Sequence, residues 1–209
     1  HTNSTQKENL KELYNKMMSI TFFVNVLLIS VLLIFTPIIS ILWIGHWEPI
    51  FVFSMLLLST SIFVNILIGP AYFSCVGEGN LNLILKSQIM IGILNLILGY
   101  VLGYYFSGKG VIVSWAISVA ISSFYLFYNY QKEKDIPLTN LFTKYNVILF
   151  VVSVLVTIFS FVLYDVFASY INNTWVLLGC YIIVTIVVFI PFIIKNKDVI
   201  DLKQAFFKK

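Results

Sequence analysis

Few residues of this chain could do chemistry, and the spacing of those few narrows the possibilities. The two cysteines, Cys75 and Cys180, and the two histidines, His1 and His46, do not have metal-ligand spacing. Both cysteines lie inside apolar runs, where a thiol is expected to behave as a small buried hydrophobe. Gly77-Glu78-Gly79-Asn80 lacks the pattern of a phosphate loop and reads as a turn between two apolar runs. No catalytic residue, cofactor or metal is expected. What remains is a set of polar residues inside apolar runs: Asn65, Tyr72, Lys86, Gln88 and Asn95, with the pair Gly69-Pro70 as a candidate hinge. A polar side chain in lipid needs a partner, so each of these is either a packing device between helices or the lining of a path for polar cargo.

The elements that position them are membrane helices. Hydrophobic residues make up 60% of the 209 residues and charged ones 11%, with a mean hydropathy of +0.96. An ordinary soluble domain has about 25% charged residues, so the apolar surplus must face lipid. Six uncharged or nearly uncharged stretches are long enough to cross about 30 Å of hydrocarbon. They are Met17–Trp43, Ile50–Val76, Leu81–Phe106, Val111–Tyr130, Tyr145–Tyr164 and Thr174–Ile194. None alternates in the manner of a barrel strand. The expected fold is all-α and polytopic: a lead-in segment (1–16), a four-helix membrane bundle (17–130), a link (131–144), a terminal helix pair (145–194) and a basic tail (195–209). Glu8–Tyr14 reads as a short amphipathic helix on the membrane surface.

All 13 basic residues are Lys, and only Lys109 falls on the side opposite the other 12. By the positive-inside rule both termini are cytoplasmic. These lysines set orientation rather than form a coherent basic face, so nucleic acid is not an expected partner. Trp43, Trp47 and Trp175 fall at the expected outer boundary and Tyr14, Tyr130 and Tyr145 at the inner one. The outer links together hold His46, Glu48, Lys109 and Asp165. A membrane glycosyltransferase or polymerase needs clusters of such residues in a sizeable outer loop, so these few count against one, and no link has room for a soluble catalytic domain. Asp165 is expected to be solvated.

On helical wheels the polar residues gather into stripes of roughly 80°. The third span aligns Gln88, Gly92, Asn95, Gly99 and Gly103. The second aligns Ser54, Ser61, Asn65, Gly69 and Tyr72. The fourth aligns Gly110, Ser114, Ser118 and Ser122, and the first offers Thr21, Asn25 and Thr36. Gly99-x-x-x-Gly103 is a close-packing spacing, whereas Asn65 and Asn95 suit either packing or cavity lining. Pro70 removes a backbone donor and so should kink the second span, as a moving hinge or a static bend. Lys86 lies far enough inside the third span either to snorkel or to face an anion, and Glu78 stands within reach as its pairing partner. The fifth and sixth spans, with Ser153, Thr157 and Ser160 on the fifth, look peripheral.

Several of these segments resemble a known family. The motifs are Leu10-Lys11-Glu12-Leu13-Tyr14, Leu42-Trp43-Ile44-Gly45, Pro70-Ala71-Tyr72, Gly77-Glu78-Gly79-Asn80, Asn95-Leu96-Ile97-Leu98-Gly99, Gly108-Lys109-Gly110-Val111, Tyr128-Asn129-Tyr130 and Ile136-Pro137-Leu138. Over residues 10–140 they resemble the polysaccharide flippases (O-antigen and teichoic-acid type) of the multidrug/oligosaccharidyl-lipid/polysaccharide exporter superfamily. The resemblance implies the second lobe of a two-lobe fold, lacking its first two helices and carrying a terminal helix pair. It further implies flipping of undecaprenyl-diphosphate-linked oligosaccharide across a bacterial plasma membrane by alternating access. The implied partners are that cargo, membrane lipids and the missing N-terminal half. The start at His1, without Met, fits that expectation. The family's cavities are typically cationic; this chain has no Arg, and Lys86 is its one cation within a span, so the anion-binding part is expected in the missing half. A drug or lipid exporter of the same superfamily, a structural membrane subunit and, least favoured, a membrane glycosyltransferase or polymerase are the other readings.

Overall fold

A chain surrounded by hydrocarbon has to satisfy its backbone hydrogen bonds internally, and continuous apolar runs do so as helices. The computed structural model describes residues 2–137, 144–167 and 174–195. Every regular element among them is an α-helix: α1 (Thr2–Ile44), α2 (Pro49–Leu67), α3 (Gly69–Gly77), α4 (Leu81–Lys134), α5 (Lys144–Phe167) and α6 (Thr174–Lys195). Five helical segments are long and apolar enough to cross a membrane: α1, α2 with α3, α4, α5 and α6. The lead-in is continuous with α1, with no break between Glu8–Tyr14 and the apolar run.

The turn after α1 is organised by one buried hydroxyl. Ser40 donates to the His46 carbonyl at 3.1 Å and accepts from the Glu48 N–H at 2.9 Å. Glu48 then caps α2, its carboxylate accepting from the Ile50 N–H at 3.2 Å. Gly45 stands at φ +89°, the left-handed conformation that ends a helix at little cost.

The break expected at Gly69-Pro70 is present. Ile68 (φ −84°, ψ −1°) separates α2 from α3, and Pro70 falls in the first turn of α3, where a missing N–H costs nothing.

α4 cannot be one rod. Its 54 residues would extend about 80 Å if straight, yet the Asn80 amide nitrogen lies 3.2 Å from the Glu133 carboxylate. Ser107 (φ 54°, ψ −139°) is non-helical and turns the chain back, leaving two antiparallel arms, 81–106 and 108–134. Ser114 donating to Asn95 Oδ1 at 2.9 Å fixes the same register halfway along. The reversal is tight because Gly110 has no Cβ: one placed there would overlap the Leu102 carbonyl and sit 3.0 Å from Gly103 N. The link anticipated between the third and fourth apolar runs is thus a one-residue reversal.

Two cores share α1. One joins it to α3 and α4 through Tyr14, Met18, Ala71, Cys75, Leu126 and Tyr130. The other joins it to α5 and α6 through Phe23, Val26, Ile34, Ile38, Leu149 and Tyr181. α5 and α6 both pack against α1, α5 the more extensively of the two.

Three expectations need correction. Tyr14 and Tyr130 do not face the boundary layer as anchors; both are buried, their rings 5.3 Å apart, and they close one end of the α1–α3–α4 core. Cys180 is exposed on α6, unlike Cys75, because the stripe that α6 buries runs through Leu177, Tyr181 and Phe189 and leaves Cys180 to one side. Glu78 does not pair with Lys86; it pairs with Lys134 at 2.7 Å, because the returning arm of α4 brings residue 134 to the α3–α4 turn.

Candidate functional site

The broken wall formed by α2 and α3 faces a cavity of about 1130 Å³, bounded also by α1 between Leu10 and Thr21 and by both arms of α4. Leu13, Met17, Ile66 and Ile91 make parts of it apolar; Thr21, Asn65, Tyr72, Gln88 and Ser123 put polar groups among them. Gly69 and Pro70 line it too, so the break in the wall is a feature of the cavity itself. At one end stand Glu78 and the Tyr14–Tyr130 pair, with the Tyr130 hydroxyl donating to Glu78 Oε1 at 3.5 Å.

The polar side chains here are of two kinds. Many hydroxyls in the helices serve their own backbone: Ser54 donates to Ile50 O, Ser61 to Leu57 O, Ser118 to Ser114 O and Thr157 to Ser153 O. Such groups have no need of cargo. Asn65 differs. Its amide donates to the buried Ser123 hydroxyl on α4 at 3.1 Å, which holds the end of α2 against the second arm just before the break. Asn65 is exposed to the cavity, and its carbonyl oxygen has no hydrogen-bond partner among the described residues. Gln88 is likewise exposed at the cavity and without a partner among them.

The residues singled out from sequence do not form one site. Asn65, Tyr72, Gln88, Gly69 and Pro70 share the cavity. Asn95 lies between the arms of α4, its carbonyl occupied by Ser114, in the packing arrangement that Gly99 and Gly103 continue: Cβ atoms there would lie 3.3 Å from Ser114 Oγ and 3.2 Å from Val111 Cγ2. Asn25, on the first span's stripe, donates to the Phe63 carbonyl at 2.7 Å and ties α1 to α2. Lys86 lies outside the cavity, in a separate cleft with Lys132.

Sequence reading did not single out Ser123 or Ser87, which also line the cavity. Ser123 sits one residue off the Ser114–Ser118–Ser122 stripe, and only the α2–α4 packing reveals it. Among the described residues the lining includes no lysine, and Glu78 is its one carboxylate. Among the described residues, no group of three or more His, Cys, Asp or Glu side chains could hold a metal ion. Compared with protein-family models, with curated proteins and with solved structures, the chain matches none.

Proposed function

We propose that this chain is one lobe of a flippase that carries lipid-linked (undecaprenyl-diphosphate) oligosaccharide across a bacterial plasma membrane. In this reading α1, α2 with α3, each arm of α4, α5 and α6 make six spans, with both termini cytoplasmic. The observation that carries it is the cavity of about 1130 Å³ among apolar helices, with the Asn65 carbonyl and the Gln88 amide in its lining unpartnered among the described residues, and a proline break in its wall. A cargo with a polar head and a long apolar tail needs both kinds of surface. A transporter also needs a wall that can bend, and discontinuous helices beside a mid-membrane site are the usual device. The motif resemblance over residues 10–140 supplies the cargo class. The absence of lysine from the lining among the described residues fits a second lobe that provides the cations; it equally favours export of an uncharged amphiphile, the second reading.

The test is transport. The chain, co-expressed with a lobe supplying the first half of a flippase, should restore surface polysaccharide in a flippase-deficient strain. Asn65→Leu with Gln88→Leu should abolish restoration at unchanged protein level. Asn95→Leu, which alters only packing between the arms, should leave cargo selection intact in whatever protein folds. Full restoration by the Asn65→Leu/Gln88→Leu variant would remove the cavity from the pathway.

A further inference from the structure

A second cleft, of about 490 Å³, opens between the two arms of α4 at the lysine-rich end of the bundle. Lys86 and Asn82 of the first arm and Tyr125, Asn129, Lys132 and Glu133 of the second line it. Neither lysine has an ion-pair partner among the described residues, since Glu78 is taken by Lys134. Asn80 donates to both oxygens of Glu133, at 3.4 and 3.2 Å. Two ammonium groups and one carboxylate leave the cleft one positive charge in excess. Asn129 spends one amide N–H on the Tyr125 carbonyl at 2.7 Å, and a second N–H remains.

Lys86 also forms one end of a separate apolar groove of about 280 Å³ along the first arm, with Ile89, Met90, Ile93 and Leu94. A cationic cleft at the lysine-rich end therefore runs into an apolar groove pointing toward the membrane interior. The two share one lysine, whose stem can lie along the groove while its ammonium stays in the cleft. We infer that this is a binding site for an anionic glycerophospholipid: the phosphate sits between Lys86 and Lys132 and an acyl chain lies along Ile89–Leu94. A phosphodiester carries one negative charge and balances the excess; a diphosphate carries more than the cleft can offset. The inference rests on these helices being membrane spans and is independent of the transport reading.

Native mass spectrometry of the whole chain, released from micelles with equal phosphatidylglycerol and phosphatidylcholine, reads the site directly. Phosphatidylglycerol should be retained preferentially. Lys86→Gln and Lys132→Gln should each lower its occupancy by a factor on the order of five, the usual worth of one basic residue at an anionic leaflet. Lys109→Gln, at the reversal between the two arms of α4 and away from the cleft, should leave it unchanged. Ile93→Trp fills the groove without touching charge and should also expel the lipid; unaltered circular dichroism and melting would show that each variant is folded. Equal phosphatidylglycerol retention in the Lys86→Gln/Lys132→Gln variant would overturn the proposal. So would displacement of the lipid by inorganic phosphate, which would mark a site for soluble anions. Stronger binding of undecaprenyl diphosphate than of phosphatidylglycerol would also overturn it, and would mark the cleft as a cargo port.

Discussion

The sequence puts four glycines on the facing sides of two helices, and the structure gives them unequal tasks. Gly110 is the demanding one. Its missing Cβ leaves the space filled by the Leu102 carbonyl. The clash would be backbone against backbone, so no rotamer change can relieve it. Gly110→Ala must push the arms of α4 apart at their closed end, beside Ser107, which is already at positive φ. Overpacking usually costs 1–3 kcal/mol, and with no flexible atom to yield, about 3 kcal/mol is the expectation here. For a chain of this size that corresponds to a melting temperature lower by roughly 6–12 °C. Gly103→Ala meets Val111 Cγ2 at 3.2 Å, and because a β-branched neighbour is stiff it should lose about 1 kcal/mol. Gly92 meets nothing within 4 Å, so Gly92→Ala should gain roughly 0.5–1 kcal/mol from helix propensity. Thermal melts of the three variants in one detergent test the order. A Gly110→Ala protein that melts with the wild type would refute the one-residue reversal and with it the antiparallel register of α4.

Two further perturbations read the ends of the bundle. The Glu78–Lys134 pair is about one-third exposed on each side; a double-mutant cycle with Glu78→Gln and Lys134→Gln should give a coupling of about 0.2–1 kcal/mol that fades in high salt, whereas pairing Glu78→Gln with Lys86→Gln should give none. Single cysteines placed at positions 46 and 109 should be labelled from outside intact cells and one at 134 only after permeabilisation; the reverse pattern at any of them would overturn the orientation inferred from the lysines.

The helices were legible because apolar run length is a strong signal, and the boundaries of the last two spans agree with α5 and α6 to within a few residues. Pro70 announced the break because a missing N–H acts locally. The fate of each polar residue was not legible, because helical wheels sort residues by angle and cannot say which neighbour faces them. Gln88 and Asn95 share one stripe on the first arm of α4, yet Gln88 lines the cavity beside α1, α2 and α3, and only Asn95 meets Ser114. The Glu78–Lys134 pair spans 56 positions, and nothing short of the hairpin register could have preferred it to Glu78–Lys86. The burial of Tyr14 and Tyr130 was hidden for the same reason: a boundary tyrosine and a tyrosine at the end of a helix core look alike in sequence.

The break at Ile68 distinguishes a hinge from a fixed bend by what holds each side of it. Before the break, Asn65 is tied to Ser123 and Ser61 is buried; after it, Ala71 and Cys75 are fully buried against α1 and α4. Both flanks are thus anchored, and the only residue whose conformation departs from the helices is Ile68, itself 8% exposed. Movement would have to drag a buried side chain or release the Asn65–Ser123 bond. Pro70→Ala returns an N–H that can serve the Ile66 carbonyl. If the bend is held by packing, that variant keeps its angle and gains little. If the bend is held by the proline, α2 and α3 straighten and the cavity wall moves. Spin labels at positions 53 and 76, on exposed faces either side of the break, report the difference. The double anchoring leads to an unchanged distance distribution in Pro70→Ala, and a longer or broader one only when Asn65→Leu is added. A Pro70→Ala protein that lengthens the distance by itself would show that the proline, and not the flanking contacts, sets the shape of the cavity.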